Sequence, residues 1–160
     1  MRAALLEAKL ENMAQIRGGV IIIEDDKVAL IQRINAKGTY FLFPGGGVEE
    51  GETVEEAAMR EAWEELGVEV QLAGLVAVVE FGPHEQHYYL AQIVNGVFGS
   101  GTGEELVSDA ASPAGTYTPA WLQQSRLQEY NVRPVELAKL IQANSLKVNS
   151  TPLRITEEPQ

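Results

Sequence analysis

One acidic segment bracketed by glycines constrains this chain more than any other feature. From Pro44 it reads Pro-Gly-Gly-Gly-Val-Glu-Glu-Gly-Glu, and from Arg60 it continues Arg-Glu-Ala-Trp-Glu-Glu-Leu-Gly-Val. Pro44 stops the short strand pattern Tyr40–Phe43, and the glycines after it favour a loop. Glu52–Leu66 then carries the spacing of a helix, and Gly67 supplies its C-terminal stop. At about 100° per residue, Glu61, Glu64 and Glu65 share one arc of that helix. Val54, Ala58, Ala62 and Leu66 form an apolar stripe beside it. Glu65 thus sits at the edge of a buried face, where an unpaired carboxylate is expensive. Three acids there need a counter-charge, and a hard divalent cation with oxygen ligands is the natural one. Glu49, Glu50, Glu55 and Glu56 read as solvated.

The rest of the chain supplies strands. Ile16–Ile23 and Val28–Arg33 flank the polar Glu24–Lys27, which predicts a hairpin. Val68–Val79 and Gln86–Val94 are strand-like, Tyr117–Leu122 is a further short strand, and Arg133–Ala143 predicts a helix with Pro134 at its start. These elements predict one mixed α/β domain over residues 16–143. Residues 1–15 form a leader or a helix, and 144–160 a polar, loose tail.

Composition narrows the function. The 160 residues carry a net charge of −11, which repels a nucleic-acid backbone and argues against bulk nucleic-acid binding. There is no cysteine, so disulfides, thiolate metal sites and thiol nucleophiles are excluded. No apolar run approaches the roughly 18 residues that span a bilayer, and no signal-peptide stretch opens the sequence. A cytoplasmic location fits these properties.

The acidic block resembles the Nudix (MutT-like) hydrolase signature. Gly46, Glu52, Arg60, Glu61, Glu64, Glu65 and Gly67 stand at its spacing, with Ala62 and Val68 in its aliphatic positions; Ala62 is small for its slot. Seven such matches have a chance probability near ~10⁻⁸ per window at ordinary residue frequencies. The resemblance implies an α/β/α sandwich with a mixed sheet and a loop–helix–loop motif. It implies Mg²⁺, for which Mn²⁺ can substitute, held by Glu61, Glu64, Glu65 and the Gly46 carbonyl. Glu52 and Arg60 would pair and fix the loop, and Gly67 would end the helix. The reaction implied is hydrolysis of a diphosphate linkage in a nucleoside diphosphate joined to another moiety: a nucleoside triphosphate, a nucleotide sugar or a dinucleoside polyphosphate. The partner is that small molecule, with no membrane and with a homodimer plausible on general grounds.

The general base in this family varies between a box glutamate and a downstream loop acid. Glu61 fills the first role here and Glu105, ahead of its neighbour Glu104, the second. Catalytic work is thus assigned to Glu61, Glu64 and Glu105. Arg33 and Tyr40 are candidates for holding phosphate and base. Phe43 and Trp121 read as packing, and His84 and His87 as surface or substrate-edge residues. The competing reading is a ligand-sensing domain of the same fold that does not cut, against which the intact motif argues. Isoprenoid diphosphate isomerase chemistry depends on a cysteine that this chain lacks.

Overall fold

The structure, a computed structural model, describes residues 15–101, 115–148 and 151–157. The expected leader or helix falls outside them except for Gln15, as do Glu104, Glu105 and residues 158–160.

Two apolar runs set up the sheet. Val20-Ile21-Ile22 and Val28-Ala29-Leu30-Ile31 are buried at every residue, as happens when both faces of a strand are covered. They lie in β1 (Ile16–Glu24) and β2 (Lys27–Asn35). These strands make the expected hairpin, with Ile23 opposite Val28 and Glu24 opposite Lys27. Asp25 and Asp26 turn the corner at φ values of 51° and 61°, a region aspartate tolerates better than most residues.

β3 (Gly38–Leu42) runs antiparallel to β2, and β4 (Gly45–Gly47) antiparallel to β1. β5 (Val68–Phe81) and β6 (His84–Gly96) form a long hairpin, and β6 lies parallel to β1. β7 (Thr116–Gln123) joins β2, while β8 (Val132–Arg133) runs parallel to β3. The order β8-β3-β2-β1-β6-β5-β9 describes the main path of the sheet.

Its last strand corrects the reading of a wholly loose tail. β9 (Leu153–Thr156) pairs parallel with Ala77–Glu80 of β5, and Ile155 packs on the core. A four-residue alternation among polar neighbours gives no sequence signal of its own. The edge it covers is what orders it.

Alternate side chains go to opposite layers. Val20, Ile22, Ala29 and Ile31 meet Ala58, Ala62 and Leu66 of helix α1 (Val54–Leu66). Ile21, Val28 and Leu30 share the other cluster with Leu127 of a 3-10 turn and with Leu137, Ala138 and Ile141 of helix α2 (Val135–Gln142). The result is the α/β/α sandwich with a mixed sheet. Among the described residues no helix is long and apolar enough to cross a membrane.

Helix α1 starts at Val54 rather than Glu52 because Thr53 caps it. The Thr53 side chain accepts from the Glu56 N–H, and the Glu56 side chain accepts from the Thr53 N–H, satisfying two donors that helix formation leaves without partners. Gly67 ends the helix at φ 78°, its N–H donating to the Trp63 carbonyl. Glu52 is thereby left in the loop, on the side of Arg60.

Candidate active site

The site begins where α1 lies flat on β1 and β4. Gly18 and Gly46 face each other across those strands. A Cβ on Gly18 would lie 2.5 Å from the Val54 carbonyl oxygen, and one on Gly46 would lie 2.1 Å from Glu61 Oε1. No larger residue permits this approach, so the glycines bring the glutamates against the loop.

Arg60 ties helix and loop together. Its Nε donates to Glu52 Oε2 at 2.8 Å and its Nη2 to Glu52 Oε1 at 3.1 Å, a bidentate pair. Nη2 also donates to the Gly47 carbonyl at 3.0 Å, and Nη1 to Glu61 Oε1 at 2.9 Å and Glu64 Oε2 at 3.1 Å. The Glu52 contact is the main reason the guanidinium is held above its ordinary pKa, with Glu61 adding to it against the opposing effect of burial. Conversely, Arg60 and then the Glu49 N–H hold the Glu52 carboxyl below its ordinary value. The Arg60–Glu52 pairing implied by the motif is therefore present. Glu56, which the sequence left as solvated, serves the helix cap.

Glu61 is 9% exposed and Glu65 8%, while Glu64 is half-exposed. With the Gly46 backbone against Glu61, the donors offered here are all oxygen, the set a hard divalent cation takes. They fit such an ion in kind. Among the described residues no three acidic or histidine side chains converge as a ready cage. Arg60 neutralises Glu61 and Glu64 in this arrangement, so a cation would share those carboxylates with Nη1.

Glu65 also lines a cavity of about 320 Å³ beside the motif. Its wall includes Arg17, Arg33, Arg133, Tyr88 and Tyr117, with Glu157 on β9's side. Strand register explains the grouping. Arg33 of β2 stands opposite Tyr40 of β3 on one side and Tyr117 of β7 on the other. Its guanidinium lies 5.6 Å from the Tyr40 ring centre and 4.7 Å from that of Tyr117, and Arg133 lies 4.7 Å over Tyr40. Such contacts fix a cation without neutralising it. Arg17 and Gln86 are neighbours across β1 and β6, and Arg17 Nε donates to Gln86 Oε1 at 3.3 Å. Burial raises the Tyr88 phenol above its ordinary pKa, keeping it neutral.

The sequence-predicted residues thus fall into two connected groups. Gly46, Glu52, Arg60, Glu61, Glu64 and Glu65 gather at the loop and helix, and Arg33 lines the cavity with Tyr40 against its guanidinium. Arg17, Gln86, Tyr117, Arg133 and Glu157 were given no role by sequence. Each comes from a different strand or from the tail, and only the register joins them. Phe43 is core, and Trp121 stacks on Phe98 with ring centres 4.6 Å apart. His87 Nε2 lies 3.1 Å from Glu85 Oε1, and neither histidine lines the cavity. Gly101, four residues before Glu105, packs on the end of α1: a Cβ there would lie 2.4 Å from the Glu64 carbonyl oxygen.

Residues 13–144 match the family model described as the NUDIX domain. The chain belongs to the Nudix family. It is a Nudix hydrolase, and relatives of this hydrolase bear pyrophosphohydrolase and diphosphatase names. It is 32% identical to an RNA pyrophosphohydrolase of Erythrobacter litoralis over 79% of this chain and 80% of that protein. It is 35% identical to an 8-oxo-dGTP diphosphatase of Proteus vulgaris over 48% of this chain and 70% of that one. Two other curated relatives are longer, and the chain spans 39% and 44% of their length. A crystal structure of a Nudix hydrolase from Nitrosomonas europaea superposes with a TM-score of 0.65, covering 92% of this chain and 81% of that one at 18% identity. That likeness is one of fold.

Proposed function

We propose that the chain is a Mg²⁺-dependent, cytoplasmic pyrophosphohydrolase that cuts the diphosphate of a nucleoside diphosphate joined to another moiety. The observation that carries this reading is Glu65. It belongs to the acidic motif and also lines the arginine- and tyrosine-walled cavity, so one substrate can meet both. Relatives named for RNA and for 8-oxo-dGTP support a nucleoside polyphosphate within this class. Residues 16–143 carry the hydrolase domain, with β9 as an added edge.

In the proposed site Glu61, Glu64, Glu65 and the Gly46 carbonyl hold the cation. A divalent ion there would neutralise diphosphate charge and lower the pKa of a nearby water. Arg60 and Glu52 keep the loop and helix in register. Arg33 faces the phosphates, and Tyr40 fixes it from the side away from Tyr117. Water oxygen bonds to one phosphorus, the bond from that phosphorus to the bridging oxygen breaks, and a carboxylate takes the water proton. Glu61 or Glu105 is that carboxylate. Charge stabilisation and positioning are the main contributions such a site makes.

The test is phosphate release, coupled to phosphatase, across a panel of nucleotides with Mg²⁺ or EDTA. Metal-dependent turnover of one or two compounds is expected. Tight binding without turnover would instead make the chain a sensor. Glu64→Gln should lower kcat by roughly 10²-fold or more, the scale of losing a charged group at a phosphoryl-transfer site, with the circular dichroism spectrum unchanged. Full turnover in the folded variant would remove Glu64 from the metal site. Glu105→Gln should lower kcat more than Glu104→Gln. Equal and negligible effects would leave the base role to Glu61.

A further inference from the structure

Gln86 is a polar side chain that is only 7% exposed. It stands opposite Arg17 in the parallel pairing of β1 with β6 and lies over two glycines. A Cβ on Gly45 would lie 2.5 Å from Gln86 Nε2, and one on Gly19 would lie 2.9 Å from it. Those glycines make the room that the amide fills. Arg17 Nε donates to Gln86 Oε1 at 3.3 Å. A guanidinium can only donate, so the amide is fixed one way round, with Oε1 on Arg17 and Nε2 turned away from it. Among the described residues Nε2 has no hydrogen-bond partner. No fully buried side-chain nitrogen or oxygen there lacks a partner, so Nε2 opens onto space. The space that Gln86 lines is the cavity it shares with Arg17, Gly45 and Glu65. Arg17, with Nε committed to Gln86, forms no ion pair among the described residues, Glu157 of the same cavity included.

The pair therefore presents donors alone, the Arg17 Nη groups and Gln86 Nε2, because its one acceptor is used within it. A phosphate oxygen only accepts and is charged, so it meets such donors best. We infer that Arg17 and Gln86 form a donor-only clamp on a non-bridging oxygen of the substrate's diphosphate, which Gln86 touches through Nε2. The inference rests on the proposed function and adds two binding residues to it. Glu65 opens onto the same cavity of about 320 Å³, which is small for a ligand site. A diphosphate that reaches the Glu65 carboxylate there lies within reach of the clamp.

Titration calorimetry on the full chain with Mg²⁺ tests this with methylenediphosphonate, a diphosphate analogue whose P–C–P bridge water does not cut. Guanosine is the ligand without phosphate. Gln86→Glu is the deciding variant: it keeps the side chain's size and holds Arg17 as an ion pair, but turns a carboxylate oxygen to the cavity in place of Nε2. Wild type should bind the analogue, and Gln86→Glu should bind it at least ~10-fold more weakly, the scale of losing a hydrogen bond to a charged group. Gln86→Met and Arg17→Met, which remove donors without adding a negative charge, should each weaken it by about 10-fold, with thermal melting to confirm that every variant is folded. If Gln86 serves only to hold Arg17, Gln86→Glu binds the analogue as well as wild type does, and the clamp is overturned. It is overturned equally if wild type does not bind the analogue, or if the losses fall on guanosine, which would put a base acceptor at the pair. Failure of the proposed function shows separately, as absence of metal-dependent turnover by wild type in the nucleotide panel.

Discussion

Five oxygen atoms accept hydrogen bonds from the Arg60 guanidinium: both of Glu52, one each of Glu61 and Glu64, and the Gly47 carbonyl. This is a partly buried charge network, in which loss of one partner leaves the others uncompensated. Glu52 links this network to pH. Its carboxyl is held below its ordinary value, first by Arg60 and then by the Glu49 N–H. A carboxyl with a lower pKa folded than unfolded favours the fold once the unfolded group is ionised, above about pH 4.3. That contribution disappears as pH falls through the folded-state value. Wild type should therefore be more stable than Glu52→Gln at pH 7, and the gap should narrow from pH 5 downward toward zero. Urea unfolding of both proteins between pH 7 and pH 3 measures it. A gap that stays constant across that range would mean that the Glu52 charge does no stabilising work through Arg60.

At the scale of elements, the site depends on how closely α1 sits on β1 and β4. The atoms that a Gly18 Cβ would meet are the Val54 carbonyl oxygen at 2.5 Å and the Ala58 nitrogen at 3.0 Å, both backbone. They cannot swing aside as a side chain would. Gly18→Ala must lift the first turns of α1 from the sheet and carry Glu61 away from Gly46, at a cost of about 1–3 kcal/mol for overpacking. Gly47→Ala is the control, because nothing lies within 4 Å of a Cβ there. Thermal and urea unfolding should separate the two variants, and equal stabilities would mean that α1 has room to shift. The motif helix, the β1–β2 hairpin and the separate strands β5 and β6 were legible in sequence because each follows from local spacing, caps and apolar runs. The Gly18 contact was not. Nothing in Ile-Arg-Gly-Gly-Val announces which glycine a helix will cross, since that depends on the pairing of β1 with β4.

For the whole molecule, the acidic half of the site was legible and, Arg33 apart, the cavity was not, for a reason of topology. Glu52 to Glu65 lie on one continuous loop and helix, whose periodicity a sequence displays. Arg17, Arg33, Tyr117, Arg133 and Glu157 come from five separate places, and only the crossing order of the sheet assembles them. Glu157 is the furthest from the motif in sequence, and its place follows from β9. The Glu157 N–H donates to the Glu80 carbonyl at 2.8 Å, continuing the parallel pairing with β5, while Ile155 packs into the core beneath. Removing residues 149–160 would uncover the β5 edge, expose that core and open one wall of the cavity together. Burial of one aliphatic side chain and a few edge hydrogen bonds amount to about 2–4 kcal/mol. For a chain of this length that is a fall in Tm of roughly 5–15 °C. Two point variants separate the causes. Ile155→Ala should lower Tm by a few degrees with KM unchanged, because Ile155 is not in the cavity wall. Glu157→Gln should leave Tm within about 2 °C, since its ladder bond is made by the backbone, and should change KM. If the truncated chain keeps both the Tm and the KM of the full protein, the tail is an ornament on a complete fold. If it loses both while the point variants divide the losses as stated, the seventh strand in the sheet order is part of the binding site.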